Sequence, residues 1–409
     1  MKAMFKTKKF GVILLLTSTC LIYNLPYLSS TFYTQSLEAF NLSNTQAGIL
    51  ITFFSLTATP GYLFGGMLAD KFSPKKLIIL SLLMTAALGY AMYFMSGYTV
   101  LMVCYFGFGI STTFIHWSAF MKLIRAQADD KDDQGRTFGT FEWCYALVGA
   151  VASYGLLALL GYVSSFKIAT ALYATILVII ALLVIFLLKD VKGINDNDFN
   201  VRMVKQAIAH PVTWLNGLIV MGMFIVATGS AYLNPYLNGV FGTSVAFATS
   251  FAIMNKCIVR LCVVGVGGML LDKWKTPKFM IICMVFLSAA IVGMFVIPQN
   301  SGSMVIAVII AFLILIFMST ARSGMYTPIP EAKIPMAITG TAMGICSAVG
   351  YSTDIWSYTL IGNWLDNYGN TGYQYVLLLS LAGVAMVIIC SILLYRYEKR
   401  HHIFERSEV

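Results

Sequence analysis

Two cations stand in the middle of an apolar run. Lys256 and Arg260 lie four residues apart in the stretch 245–270, a spacing that puts them on one face of an α-helix. At about 1.5 Å of rise per residue both fall within about 4 Å of the midpoint of that stretch. A hydrocarbon layer about 30 Å thick then leaves them about 15 Å from either edge, too deep for their side chains to snorkel out. Facing lipid would cost at least about 2.5–3.5 kcal/mol each, so they are expected to face a watery cavity or a fixed partner. A planar, permanently charged guanidinium suits two-point capture of a carboxylate, sulfonate or phosphate. The pair reads as an anion site, with a buried structural ion pair as the alternative.

Two acids lie in comparable stretches. Asp354, in Tyr351-Ser352-Thr353-Asp354-Ile355-Trp356, is the better match for Lys256, which would leave Arg260 without a fixed partner. Glu142 lies nearer the end of its own stretch and reads as a proton site, a gate residue or an interfacial salt bridge. His116 is a candidate proton relay. Tyr23, Asn24, Tyr27, Trp117, Asn234 and Tyr236 are the polar and aromatic side chains that could complete a pocket, although packing is the ordinary use of each aromatic. Pro26 and Pro235 are expected to kink or loosen their helices and free a carbonyl nearby.

These residues need long apolar helices to hold them. Of 409 residues 59% are hydrophobic and 11% charged, too little charge to cover a soluble protein of this length. Twelve apolar runs are read: 10–33, 45–68, 75–95, 98–122, 137–161, 166–188, 211–238, 245–270, 279–298, 303–322, 336–361 and 371–396. Each is long enough to cross a bilayer; they are spans one to twelve below. All but three of the 27 Lys and Arg residues (Lys167, Lys256 and Arg260) fall at the N-terminus, the even-to-odd loops, the central linker, the C-terminal tail or the helix ends beside them. The positive-inside rule then puts both termini and the linker in the cytoplasm. The net charge of +10 is absorbed by topology and leaves no basic face for nucleic acid. The eight cysteines all fall in spans, with no Cys-x-x-Cys pair and no accompanying His cluster, and read as small core residues. The start, Lys2 to Lys9 followed by a long apolar run, reads as a first span and not as a cleaved leader.

The chain repeats itself. Gly66-Met67-Leu68-Ala69-Asp70-Lys71-Phe72-Ser73-Pro74-Lys75-Lys76 is echoed by Gly268-Met269-Leu270-Leu271-Asp272-Lys273-Trp274-Lys275-Thr276-Pro277-Lys278. Tyr23-Asn24-Leu25-Pro26-Tyr27-Leu28 is echoed by Tyr232-Leu233-Asn234-Pro235-Tyr236-Leu237, and Gly139-Thr140 with Gly149 by Gly340-Thr341 with Gly350. Three echoes in register mark two related halves: 1–188, a linker at 189–210, and 211–409.

The first loop resembles the signature loop of the major facilitator superfamily, with Pro74 where a glycine is usual. The resemblance covers the whole chain and implies an all-α membrane protein of twelve transmembrane helices in two six-helix bundles around a central cavity. It also implies that Asp70 and Asp272 act as gating latches against the N-termini of spans eleven and five. Lys71 and Lys75 would pair with acids or lipid phosphates, and Arg136, opening span five, reads as a gate or lipid-facing charge.

No phosphate-cradling loop, nucleophile elbow or metal-ligand cluster is present, which argues against an enzyme and against any cofactor. The expectation is a monomeric secondary transporter in a bacterial inner membrane. It would move a small organic anion by alternating access, coupled to protons or to a counter-anion as symporter or antiporter. The rivals are a proton-coupled exporter of neutral or cationic amphiphiles and a transporter-like solute sensor. Span five carries Gly149, Gly155 and Gly161 but no Gly-Pro pair, which departs from the antiporter signature of many drug exchangers in that superfamily and weighs against drug export.

Overall fold

The computed structural model describes residues 8–95, 97–127, 133–160, 165–189, 201–332 and 336–401. Of the side chains singled out above, those of Asp70, Arg136, Arg260 and Asp272 lie outside the described residues. Every apolar run coincides with helix. Spans two, three, five, six, nine, ten and twelve are single helices: Asn44–Lys71, Pro74–Phe94, Asp133–Leu160, Phe166–Leu187, Thr276–Val296, Met304–Arg322 and Gly372–Arg400. Their starts follow local chemistry. Ser43 accepts from the Gln46 amide while Gln46 accepts from the Ser43 amide, a capping box that opens Asn44–Lys71. Ser73 accepts from the Lys76 amide, with Pro74 at the first helical position.

The remaining spans are interrupted. Span one runs as Lys8–Thr19, then a 3₁₀ segment Cys20–Asn24, then Leu28–Thr31. Span seven stops at Ala231 and resumes as Leu233–Gly239. The expected effect of the prolines is visible here, because the ring of Pro235 crowds the carbonyl four residues back, on Ala231. Spans four and eight each contain a π segment, Ile110–Trp117 and Met254–Val259, between α-helical flanks. Span eleven breaks at the 3₁₀ turn Ser352–Ile355.

The chain divides into two compact units. In the first, helix Asn44–Lys71 packs on Tyr98–Gly109 and the π segment after it, Pro74–Phe94 on Phe166–Leu187, and Lys8–Thr19 on Asp133–Leu160. In the second, Arg260–Trp274 packs on Met304–Arg322, Thr276–Val296 on Gly372–Arg400, and Pro211–Ala231 on Met336–Tyr351. Both lists read two-on-four, three-on-six and one-on-five within their own half, so the sequence repeat is also a repeat of packing. The division by contact is 1–198 plus Lys256–Ile258 against Phe199–Asn255 plus 259–409. Three residues of span eight thus pack with the first unit, and the helix Val201–Ala209, inside the segment read as a linker, belongs to the second.

Glycines let the two-on-four pairs approach closely, and one of them holds the same place in each half. A Cβ on Gly65 would lie 2.9 Å from the carbonyl oxygens of Thr113 and Phe114; one on Gly267 would lie 2.9 Å from that of Thr320 and 2.5 Å from Ser323 Oγ. Gly65 and Gly267 hold equivalent positions in the repeat, each immediately before the loop motif. Large apolar side chains stand outward elsewhere, with Phe94 76%, Phe186 79% and Val296 73% exposed. Such surfaces require a bilayer rather than water, and the chain is an integral membrane protein.

Candidate functional site

Among the described residues, the first unit carries a constellation that joins a charge to a cavity. Lys256, half-buried in the π segment of span eight, donates from Nζ to Asn24 Oδ1 at 2.6 Å. Asn24 ends the 3₁₀ segment of span one, so an interruption in each helix sets one member of the pair. Tyr173 on span six lies close to Asn24 and to Ser153 on span five, which carries the polar surroundings into spans five and six. Beside Lys256 opens a small cavity lined by Thr17, Cys20, Leu21, Asn24, Tyr145, Val148, Gly149, Lys256 and Cys257. Its lining offers one cation, one amide, two hydroxyl groups and two thiols, with apolar walls between them. A small solute with a negative group would meet the ammonium at one end and neutral donors around it.

From sequence Lys256 is expected to pair with Asp354; within the first unit Lys256 donates to Asn24. The ammonium is satisfied by a neutral amide, and Asp354 lies in the second unit, buried in the 3₁₀ turn Ser352–Ile355 within electrostatic reach of Tyr358. The common-face argument for Lys256 and Arg260 also presupposed ordinary α winding. Lys256 lies inside the wider π segment Met254–Val259, and Arg260 directly follows it. Glu142 is exposed, and its charge reaches Cys20 at the cavity wall.

A second polar cluster lies in the same unit. His116 is fully buried in the π segment of span four, with Nε2 2.9 Å from Thr19 Oγ1 and Nδ1 3.2 Å from the Tyr23 hydroxyl. Tyr23 donates to the Thr112 carbonyl at 3.0 Å and meets Trp117 edge-on. Trp117 also meets Tyr62, and His116 stacks on Phe120. Tyr23, His116 and Trp117 therefore come together, tying span one to span four. Tyr27 packs edge-on against Phe54.

The second-half residues are placed differently. Tyr236 is 2% exposed, stacks on Tyr373 and donates its hydroxyl to Gln299. Asn234 is buried. Tyr236 packs within the interior of its unit. At the first loop, Lys71 is exposed, and Lys75 donates to the Ile185 carbonyl at 2.8 Å rather than to an acid. Lys122 does the same for Ala69 at 3.2 Å. Both carbonyls belong to the last turns of helices, where no intrahelical partner exists. Seven of the eight thiols are buried, while Cys262 is exposed and departs from the core reading. Sequence reasoning passed over Thr17, Tyr145, Ser153 and Tyr173; a hydroxyl at each of these positions in an otherwise apolar helix is the signal that marked them.

Known proteins bear on these placements. The sequence profile of the Major Facilitator Superfamily matches residues 11–357. Inner membrane protein YihN of Escherichia coli K12 is 28% identical over 389 residues, covering 90% of this chain and 91% of that one. Inner membrane protein YqcE of the same strain is 25% identical, covering 91% of each. Among solved structures, a bacterial homologue of the human lysosomal transporter Spinster, inward-facing and unoccupied, superposes with a TM-score of 0.72 at 15% identity, covering 96% of this chain and 98% of that one. The nucleoside transporter NupG, solved as a point mutant, gives a TM-score of 0.72 at 13% identity, covering 95% and 100%.

Proposed function

Because the chain belongs to the Major Facilitator Superfamily, and is thus a transporter and not an enzyme, we propose that it moves a small organic anion across a bacterial inner membrane by alternating access. The observation that carries the anion reading is Lys256: a cation at mid-span, beside a small cavity, whose hydrogen-bond partner is the neutral Asn24. A neutral partner leaves the positive charge uncancelled, and a solute carboxylate, phosphate ester or sulfonate supplies the missing charge. Arg260 follows one turn later and adds a second cation to the same span. Both inner-membrane relatives named above support the location; the placement of basic residues supports cytoplasmic termini. Glu142, whose charge reaches the cavity wall, is the nearer choice for coupling to protons; Asp354 is the alternative carboxylate, and exchange against a second anion needs neither.

The test is ligand-dependent thermal stabilisation of the purified protein, which binding produces by mass action. Carboxylates, sugar phosphates and sulfonates are screened against wild type, Lys256→Gln and Arg260→Gln. An anion that raises the unfolding temperature of wild type and not of Lys256→Gln supports the site. Anion hits that survive both substitutions reject it. Stabilisation by neutral or cationic amphiphiles alone would favour the exporter reading.

A further inference from the structure

A second titratable site lies in the other unit, away from the cavity, and owes nothing to the anion reading. Glu398 stands beyond the apolar run 371–396, in the last turn of helix Gly372–Arg400. It is 0% exposed, and neither carboxylate oxygen finds a hydrogen-bond partner among the described residues. Close by is Glu331, whose charge acts on it. Glu331 itself is occupied: its two oxygens accept from the Thr276 amide at 3.3 and 3.1 Å. That contact ties the short helix Pro328–Glu331 to the first turn of Thr276–Val296.

The tie replaces what the first half does with a hydroxyl. There, Ser73 caps the helix after the loop. The equivalent residue here is Lys275, which has no capping side chain and adopts φ 61°, ψ 160°. That region of backbone space is nearly glycine-only and costs on the order of 1–3 kcal/mol for other residues. The junction is thus strained and held by a carboxylate that sits beside a second, unpartnered one. A buried carboxylate without donors cannot carry its charge comfortably, and two neighbouring carboxylates resist ionising together. Among the described residues, no cation is set against Glu398 by the elements around it. On Thr276–Val296, Lys278 lies over the Tyr395 ring at 5.8 Å and Lys275 just before it is exposed. His210, at the start of Pro211–Ala231, meets Tyr397. Lys399, Arg400 and His401 are exposed. Asp366, on Ser357–Tyr368, lies toward the opposite end of Gly372–Arg400.

From this arrangement we propose that Glu398 is a proton-binding site, occupied when this end of the second unit is closed, and that release of its proton loosens the Glu331–Thr276 tie. The ligand is the proton, and the carboxyl gains or loses it with no other chemistry. Burial first, and the Glu331 charge second, raise the Glu398 carboxyl from its ordinary 4.5 to about 8. Between those two values the folded chain holds a proton that the unfolded chain releases, so the contribution to stability is full below 4.5 and is lost as pH rises through about 8.

The experiment uses the full-length protein in lipid nanodiscs. Infrared spectroscopy follows the C=O stretch of protonated carboxyls against pH, and hydrogen exchange follows the amides around Thr276. Wild type is expected to show a carboxyl band that titrates near the value above, and loss of protection at Thr276 over the same range. Glu398→Gln should lack the band and stay protected at every pH; comparing the two proteins at each pH cancels the intrinsic pH dependence of exchange. A band that persists in Glu398→Gln, or equal protection in both proteins throughout, overturns the proposal. Should Glu398→Gln fail to fold, Glu331→Gln serves instead. It leaves Glu398 in place but removes the neighbouring charge, so the midpoint must move down, and an unmoved midpoint overturns the coupling.

Discussion

Two adjacent glycines in span eight should respond to the same substitution with opposite signs. Replacing either by alanine brings the same local gain, about 1 kcal/mol of helix propensity. What differs is the space each new methyl meets. At Gly268 nothing lies within 4 Å, so the gain stands alone and Gly268→Ala is stabilising. At Gly267 the Cβ would sit 2.5 Å from Ser323 Oγ and 2.9 Å from the Thr320 carbonyl oxygen. The serine can rotate away; the carbonyl is backbone and cannot. Spans eight and ten must then part by several tenths of an ångström, an overpacking cost of about 1–3 kcal/mol. Because the propensity gain is common to both variants, their difference isolates the clash at about 1–3 kcal/mol. A thermal ramp with a thiol-reactive dye reads this directly, since seven of the eight cysteines are buried and report unfolding. Gly268→Ala should unfold at or above wild type and Gly267→Ala below it. Gly267→Ala unfolding at or above Gly268→Ala would refute the close approach. Gly65→Ala, its counterpart in the first half, should behave like Gly267→Ala.

Other perturbations separate packing from solute contact. Tyr236→Phe removes the hydroxyl that meets Gln299 inside the second unit and should cost about 1 kcal/mol of stability, leaving anion-dependent stabilisation unchanged. Asn24→Leu strips Lys256 of its partner; about 2–5 kcal/mol of stability is at stake when one partner of a buried charged hydrogen bond is removed, and added anion should recover more of it than in wild type, seen as a larger ligand-induced thermal shift. Lys75→Met uncaps the Ile185 carbonyl at an exposed site. Its unfolding temperature should move little, by an amount worth less than about 1 kcal/mol, and the shift should be insensitive to salt if the contact is a cap and not an ion pair.

Hydropathy read along the chain located the helices well, because depth in a bilayer is a one-dimensional property that composition reports. The prolines at 26 and 235 likewise announced their breaks, since a missing N–H and a ring clash act locally. Azimuth is another matter. Whether Tyr236 looks into a cavity or into its own bundle depends on neighbours such as Tyr373 and Gln299, far away in sequence. The π segments at Ile110–Trp117 and Met254–Val259 carry no composition that distinguishes them from α-helix. The echo of Gly66 at Gly268 was plain in the sequence; the close backbone approaches at Gly65 and Gly267 were not. Glu331 and Glu398 look like ordinary polar residues at loop and tail; only burial and the absence of a partner among the described residues set Glu398 apart.

The wide turn in span eight has a mechanical corollary. A π segment holds more chain per revolution than its neighbours, and it can surrender the surplus by handing one residue back to the tighter winding. At 3.6 residues per revolution such a hand-over swivels everything beyond it by roughly 100°. Lys256 sits inside that segment, so its charge can be re-aimed by local rewinding alone, without bending the rest of the helix.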